Sequence, residues 1–150
     1  MNTLKKELFD LCVQYVQNRI DTVQQAILAT QAAANEETKS SAGDKYETGR
    51  AMMQQESDRN MAQLNEANKL MAALKQVSIN GSSKKAETGS LVITKDARFF
   101  LAISAGTLTI DYQTYFAVSP ASPIGLKLKG QQAGHQFSLN DKMYVIEEVL

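Results

Sequence analysis

Two carboxylates, Asp44 and Glu47, stand three positions apart in the polar stretch SSAGDKYETGR, residues 40–50, with Lys39, Lys45 and Arg50 around them. Residues three apart on a helix share a face. Mg²⁺ prefers carboxylate oxygen and keeps several of its waters, so one or two such groups can help to hold it. On spacing alone the Asp-x-x-Glu pattern reads first as a capping box, ahead of any metal role, with Asp44 accepting backbone N–H bonds and Glu47 reaching back. A helix N-terminus keeps both carboxylates ionised in either case. The three cations read first as a solvated cluster that balances the acids, and second as contacts to phosphate.

The composition leaves little room for other chemistry. Cys12 and His135 are the only residues of their kind, so a Cys/His zinc cluster and a Cys-His-His condensing site are both excluded. Cys12 lies between Leu11 and Val13 on an apolar helix face, where a free thiol acts as a small hydrophobe. His135 follows Gly134 in a turn and reads as a surface residue rather than a base. The 16 Lys and Arg balance the 16 Asp and Glu, so no net field draws the chain to DNA or anionic lipid, and sequence-specific DNA binding is not expected. No apolar run reaches the length of a membrane span. The start MNTLKKELFD has no apolar signal core, and a single cysteine fits a reducing compartment, so a cytoplasmic location with no membrane partner is expected.

The elements that would carry the acids are helical. Leu4, Leu8, Leu11 and Tyr15 alternate by four and three, and Val16, Ile20, Val23, Ile27, Thr30 and Ala34 continue the alternation one position on. Beyond the polar stretch, Met53, Ser57, Asn60, Leu64, Ala67, Met71 and Leu74 repeat it. No Pro precedes position 120 and no Gly precedes position 43. The spacing predicts an antiparallel coiled-coil hairpin over residues 1–77, its tip near 38–48, with arms of roughly 45 Å. The seam weakens toward the tip, where Ala32, Ala33, Ala34, Ser57 and Asn60 replace Leu and Ile; this favours a projecting finger over half of a dimeric bundle. Met52, Met53, Met61 and Met71 read as hairpin packing.

Residues 78–90, SINGSSKKAETGS, read as a linker. In residues 91–150 the period becomes two: SLVITK, ARFFLAIS, GTLTIDY and QTYFAVS predict strands. Ser122, Pro123 and Gly130 bracket one short helix, and the tail predicts two strands around an Asn140-Asp141 turn. The fold class is therefore α+β, a helical hairpin followed by a small antiparallel β domain with one short helix.

Over essentially its whole length this arrangement resembles the Gre family, the bacterial transcript cleavage factors. Gly43-Asp44-Lys45-Tyr46-Glu47 is similar to the family's Gly-Asp-x-x-Glu at the hairpin tip. VSPASPIGLKLKGQQAGHQF is similar to its second motif, with Ser119, Ser122, Pro123, Leu128, Gly130 and Gly134 in register. The resemblance implies an FKBP-like C-terminal domain docked at the mouth of the RNA polymerase secondary channel, and a coiled coil that enters it. It implies that Asp44 and Glu47 help to hold a second Mg²⁺, present only in complex with polymerase, and position the attacking water. Polymerase itself then cuts the extruded 3′ end of backtracked RNA, so the chain is an accessory factor rather than an enzyme. Lys39, Lys45 and Arg50 would touch RNA or polymerase.

The chain departs from the family at Thr48-Gly49-Arg50-Ala51, where Asn-Ala-Glu-Tyr is usual, and at His135, where Asp is usual. A non-cleaving regulator that occupies the same channel is therefore the second reading. A peptidyl-prolyl isomerase or chaperone ranks third. The chain has no Trp, and Phe99, Phe100, Tyr112, Tyr115 and Phe116 lie in strand-like runs as core residues do.

Overall fold

The structure is a computed structural model that describes residues 2–39, 43–81 and 83–150, with the side chains of 2, 37–39 and 43–48 outside that description. Two long helices come first, α1 (Asn2–Lys39) and α2 (Gly43–Lys75), of 38 and 33 residues. Both are longer than the arms expected from the sequence. With no proline in either and a glycine only at the start and at position 49 of α2, nothing removes a ladder hydrogen bond. Solvent-facing pairs one turn apart, such as Lys6–Asp10 at 3.5 Å and Arg59–Glu56 at 3.1 Å, support the helices locally. Each contributes only a few tenths of a kcal/mol, about 0.3 to 0.5.

The chain divides into two compact units, one of Met1–Tyr15 with Met71–Leu150 and one of Val16–Leu70. In the second, the expected seam is the less exposed side of both helices. Val16, Val23, Asn60 and Ala67 are buried, and Ile20, Ile27, Thr30, Ala34, Met53, Ser57 and Leu64 are partly so. Asn60 Nδ2 donates to Thr30 Oγ1 at 3.3 Å. Val23 and Ala67 are buried seven residues to either side of that bond, which is the spacing of an antiparallel pair. The methionines do not all pack as expected. Met53 and Met71 lie in the seam, whereas Met52 and Met61 are exposed because they fall one position before and after seam residues.

In the first unit, six strands follow: β1 (Leu91–Thr94), β2 (Arg98–Leu101), β3 (Gly106–Ile110), β4 (Gln113–Val118), β5 (Gln136–Leu139) and β6 (Lys142–Val149). A third helix, α3 (Pro123–Leu128), lies between β4 and β5. The strand order is β3-β4-β2-β1-β6-β5. The sheet is mixed, which corrects the purely antiparallel expectation: β2 and β4 run parallel, Phe99 beside Phe116 and Leu101 beside Val118. After β2 the chain passes to the outer edge as β3, and a two-residue turn brings β4 back between β3 and β2. That route gives β4 the direction of β2.

The turn is Asp111-Tyr112, with φ of 49° and 67°, and the β5–β6 turn is Asn140-Asp141, with φ of 54° and 65°. Positive φ at both central residues matches the twist of a two-residue hairpin. Tyr112 is consequently fully exposed, not a core residue.

One face of the sheet packs as a cluster of Ala86, Val92, Phe99, Leu101, Leu128, Phe137 and Ile146. Phe100 and Leu91 are also fully buried, so β1 and β2 are covered on both faces. Leu8, Cys12 and Leu74, all fully buried, belong to the same unit and extend its interior into the helix bases.

Candidate functional site

The acidic stretch falls at the start of α2. The helix begins at Gly43, so positions 44 and 47 are one turn apart within its first five residues. That backbone meets the condition for two groups on one face. The side chains of Lys39, Asp44, Lys45 and Glu47 lie outside the described residues, and so do their contacts. Arg50 is exposed, and Gly49, partly buried, stands at the seventh position of the helix. Glycine there costs about 1 kcal/mol relative to alanine. Among the described residues no group of three His, Cys, Asp or Glu could hold a metal ion.

The second motif is fully described, and its residues build one joint. Ser122 is the N-cap of α3, with φ −71° and ψ 161°. Its Oγ accepts from Gly125 N at 3.1 Å and donates to Ser119 O at 2.6 Å. Ser119 Oγ accepts from Ala121 N at 3.1 Å. Pro123 takes the first helical position, where no N–H is needed. Leu128 carries the helix into the core with no exposed surface. Gly130, with φ 80°, donates its N–H to Ala86 O at 2.7 Å, and Ala86 N returns a bond to Gln131 O at 2.7 Å. Gly134, with φ 95°, donates to Ile146 O at 2.7 Å. His135 is partly buried, its ring stacked 6.1 Å from that of Phe137.

The motif thus has a structural account at every position. It forms the short helix and ties both of its ends to the sheet. Residues 78–90 take part in this through Ala86 and Ser90, both buried, so the Gly/Ser-rich segment is packed against the sheet unit at those points.

Two residues of this unit carry more than the sequence reading assigned them. Gly125 leaves no room for a side chain, since a Cβ there would collide with Ser119 O. Lys5 is 4% exposed and donates from Nζ to Gly81 O at 3.1 Å. Burial pushes its pKa below 10.5, and the nearby Glu87 carboxylate partly opposes that shift. Lys5 lies one turn before Leu8 on the helix face that buries Leu8 and Cys12. Cys12 keeps its expected role, its thiol pushed up to about 12 by burial and therefore unreactive.

A surface cavity of about 310 Å³, lined by Thr94, Lys95, Asp96, Met143, Tyr144, Val145 and Glu147, collects none of the motif residues. No known family model matches the chain, and no curated protein matches it by sequence. No helix among the described residues is long and apolar enough to cross a membrane.

Proposed function

We propose that the chain is an RNA polymerase accessory factor of the Gre type. In this reading an FKBP-like sheet unit docks at the secondary channel of bacterial RNA polymerase, and the two helices carry Asp44 and Glu47 to the active centre. The observation that carries it is the helix register. The contact of Thr30 with Asn60 supports an antiparallel pairing whose midpoint by number is residue 45, between the two acids. A helix of 33 residues such as α2 is about 50 Å long, the order of reach that this reading needs.

Two carboxylates one turn apart suit Mg²⁺ as oxygen donors, but are too few to hold it without polymerase ligands. When bound there, the ion would lower the pKa of water and stabilise charge on phosphate. Asp44 and Glu47 would supply the donors, and the helix start would keep them ionised. Lys39, Lys45 and Arg50 would balance charge on the extruded RNA 3′ end or on polymerase.

The test is RNA cleavage by a defined backtracked complex of the cognate polymerase. Stimulation by the wild-type chain should disappear in the Asp44→Ala/Glu47→Ala variant, with polymerase binding retained. Full stimulation by that variant would remove the acids from the mechanism.

Gly49 within α2, followed by the exposed Arg50, favours a second reading. A glycine in the second turn loosens the helix that bears the acids, and a cation stands where the family has a glutamate. The chain would then occupy the channel and alter initiation or pausing without stimulating cleavage. Binding with altered initiation and no cleavage by the wild-type chain would select it.

A further inference from the structure

Asn60 is 2% exposed, and Thr30 Oγ1, which accepts its amide hydrogen bond at 3.3 Å, donates in turn to Ala26 O at 2.9 Å. A polar pair in an apolar helix seam costs stability relative to aliphatic residues, but restricts alignment. Any other register leaves a buried amide without a partner, which is the larger penalty. No buried side-chain N or O among the described residues lacks one.

The place of this pair in the seam gives it weight. On one side Val23 and Ala67 are buried. On the other, toward the connection between the helices, none of residues 31–36 and 49–59 is buried. The next seam positions, Ala34 and Ser57, offer a methyl group and a hydroxyl. Asn60 is therefore the last buried residue among those described before the connection, and among those residues the apolar packing beyond it is too slight to select an alignment.

We infer that Thr30 and Asn60 form a register clamp, a pair of positioning residues that sets the alignment of α1 with α2 and hence where Asp44 and Glu47 sit along the pair. A slip of one turn would carry the acids about 5.4 Å along the axis, far outside the tolerance of Mg²⁺ coordination. The bearing on cleavage rests on the function proposed above, while the alignment itself is measurable without it.

Two cysteine pairs in a full-length Cys12→Ala background report the register by rate of disulfide closure. Ala34→Cys with Ser57→Cys reads the native alignment, and Ala34→Cys with Met53→Cys reads a slip of one turn. With Thr30 and Asn60 present, the native pair should close about tenfold faster or more, the cost of an unpartnered amide. In a Thr30→Val/Asn60→Leu variant the two rates should approach parity while the thermal midpoint holds or rises. Stimulated cleavage should fall about tenfold or more through misplacement alone, with polymerase affinity unchanged. Thr30→Ser, which keeps the hydroxyl, should match the wild type in both readouts.

An unchanged rate ratio in the Val/Leu variant overturns the clamp. A lowered midpoint with an unchanged ratio does so as well, because it marks a contact that only stabilises. If the wild-type chain stimulates no cleavage, the Gre-type reading fails, and the cross-linking ratio still decides the clamp.

Discussion

Phe99 and Phe100 are neighbours in the sheet unit, and both are buried, on opposite faces of β2. In the helical unit of Val16–Leu70, by contrast, the buried residues among those described are only Val16, Val23, Asn60 and Ala67. The first unit is organised by volume: large side chains fill a space, and glycines stand where none fits. The second is organised by alignment, with helix ladders, exposed ion pairs and one polar contact in a thin seam. The sheet unit should therefore be sensitive to changes of volume, and the helical unit to changes at a few seam positions. Substitutions of one chemical type should have very different effects in the two.

The widest contrast is between two leucines. Leu128 is fully buried in the sheet cluster, and Leu28 is 58% exposed on α1. Leu128→Ala should cost about 3 to 4 kcal/mol in urea unfolding, and Leu28→Ala less than about 0.5 kcal/mol. Equal effects would break the comparison. Gly125→Ala comes next. The colliding atoms belong to the backbone of Ser119 and Pro120 and cannot rotate away, so a loss of about 3 kcal/mol is expected. Gly49→Ala, in the helical unit, should instead stabilise by up to about 1 kcal/mol in the same measurement.

Ser122→Ala removes the α3 cap and its bond to Ser119 O, and should cost about 1 to 2 kcal/mol. The smallest effect concerns Lys5. Its folded pKa lies below 10.5, so the unfolded chain holds the extra proton between the folded value and 10.5. Stability must then rise with pH through that window. Thermal midpoints measured toward pH 10.5 should show the wild type gaining on Lys5→Met; a constant difference would mean that burial does not perturb the amine.

Much of this was legible in the residues. Within residues 16–70 the less exposed side of both helices follows the four-and-three spacing, whereas at the base of α1 Lys5 and Cys12 are buried in place of Leu4 and Leu11. Ser122, Pro123 and Gly130 mark α3 because cap chemistry is local. The Asn140-Asp141 turn was equally readable, since these residues tolerate positive φ. What was not legible depends on tertiary neighbours. The parallel pairing of β2 with β4 is a matter of chain route rather than strand propensity. Lys5 reads as solvent-facing until the helix base has something packed on it. Gly125 looks like a weak helix residue until Ser119 O stands where its side chain would be. Asp44 and Glu47 are legible only as a pair one helical turn apart, because that spacing is local.

The strand order also has a kinetic consequence. β1–β2, β3–β4 and β5–β6 are each joined by short turns and can close locally, within microseconds. Joining them takes two pairings between distant strands, β2 with β4 and β1 with β6. The second encloses everything from Lys95 to Asp141, the longest loop in the sheet, and its closure entropy is met late. Val92 opposite Val149 is therefore the contact whose formation should limit how fast the sheet unit assembles, and slowing it would leave three competent hairpins waiting on one another.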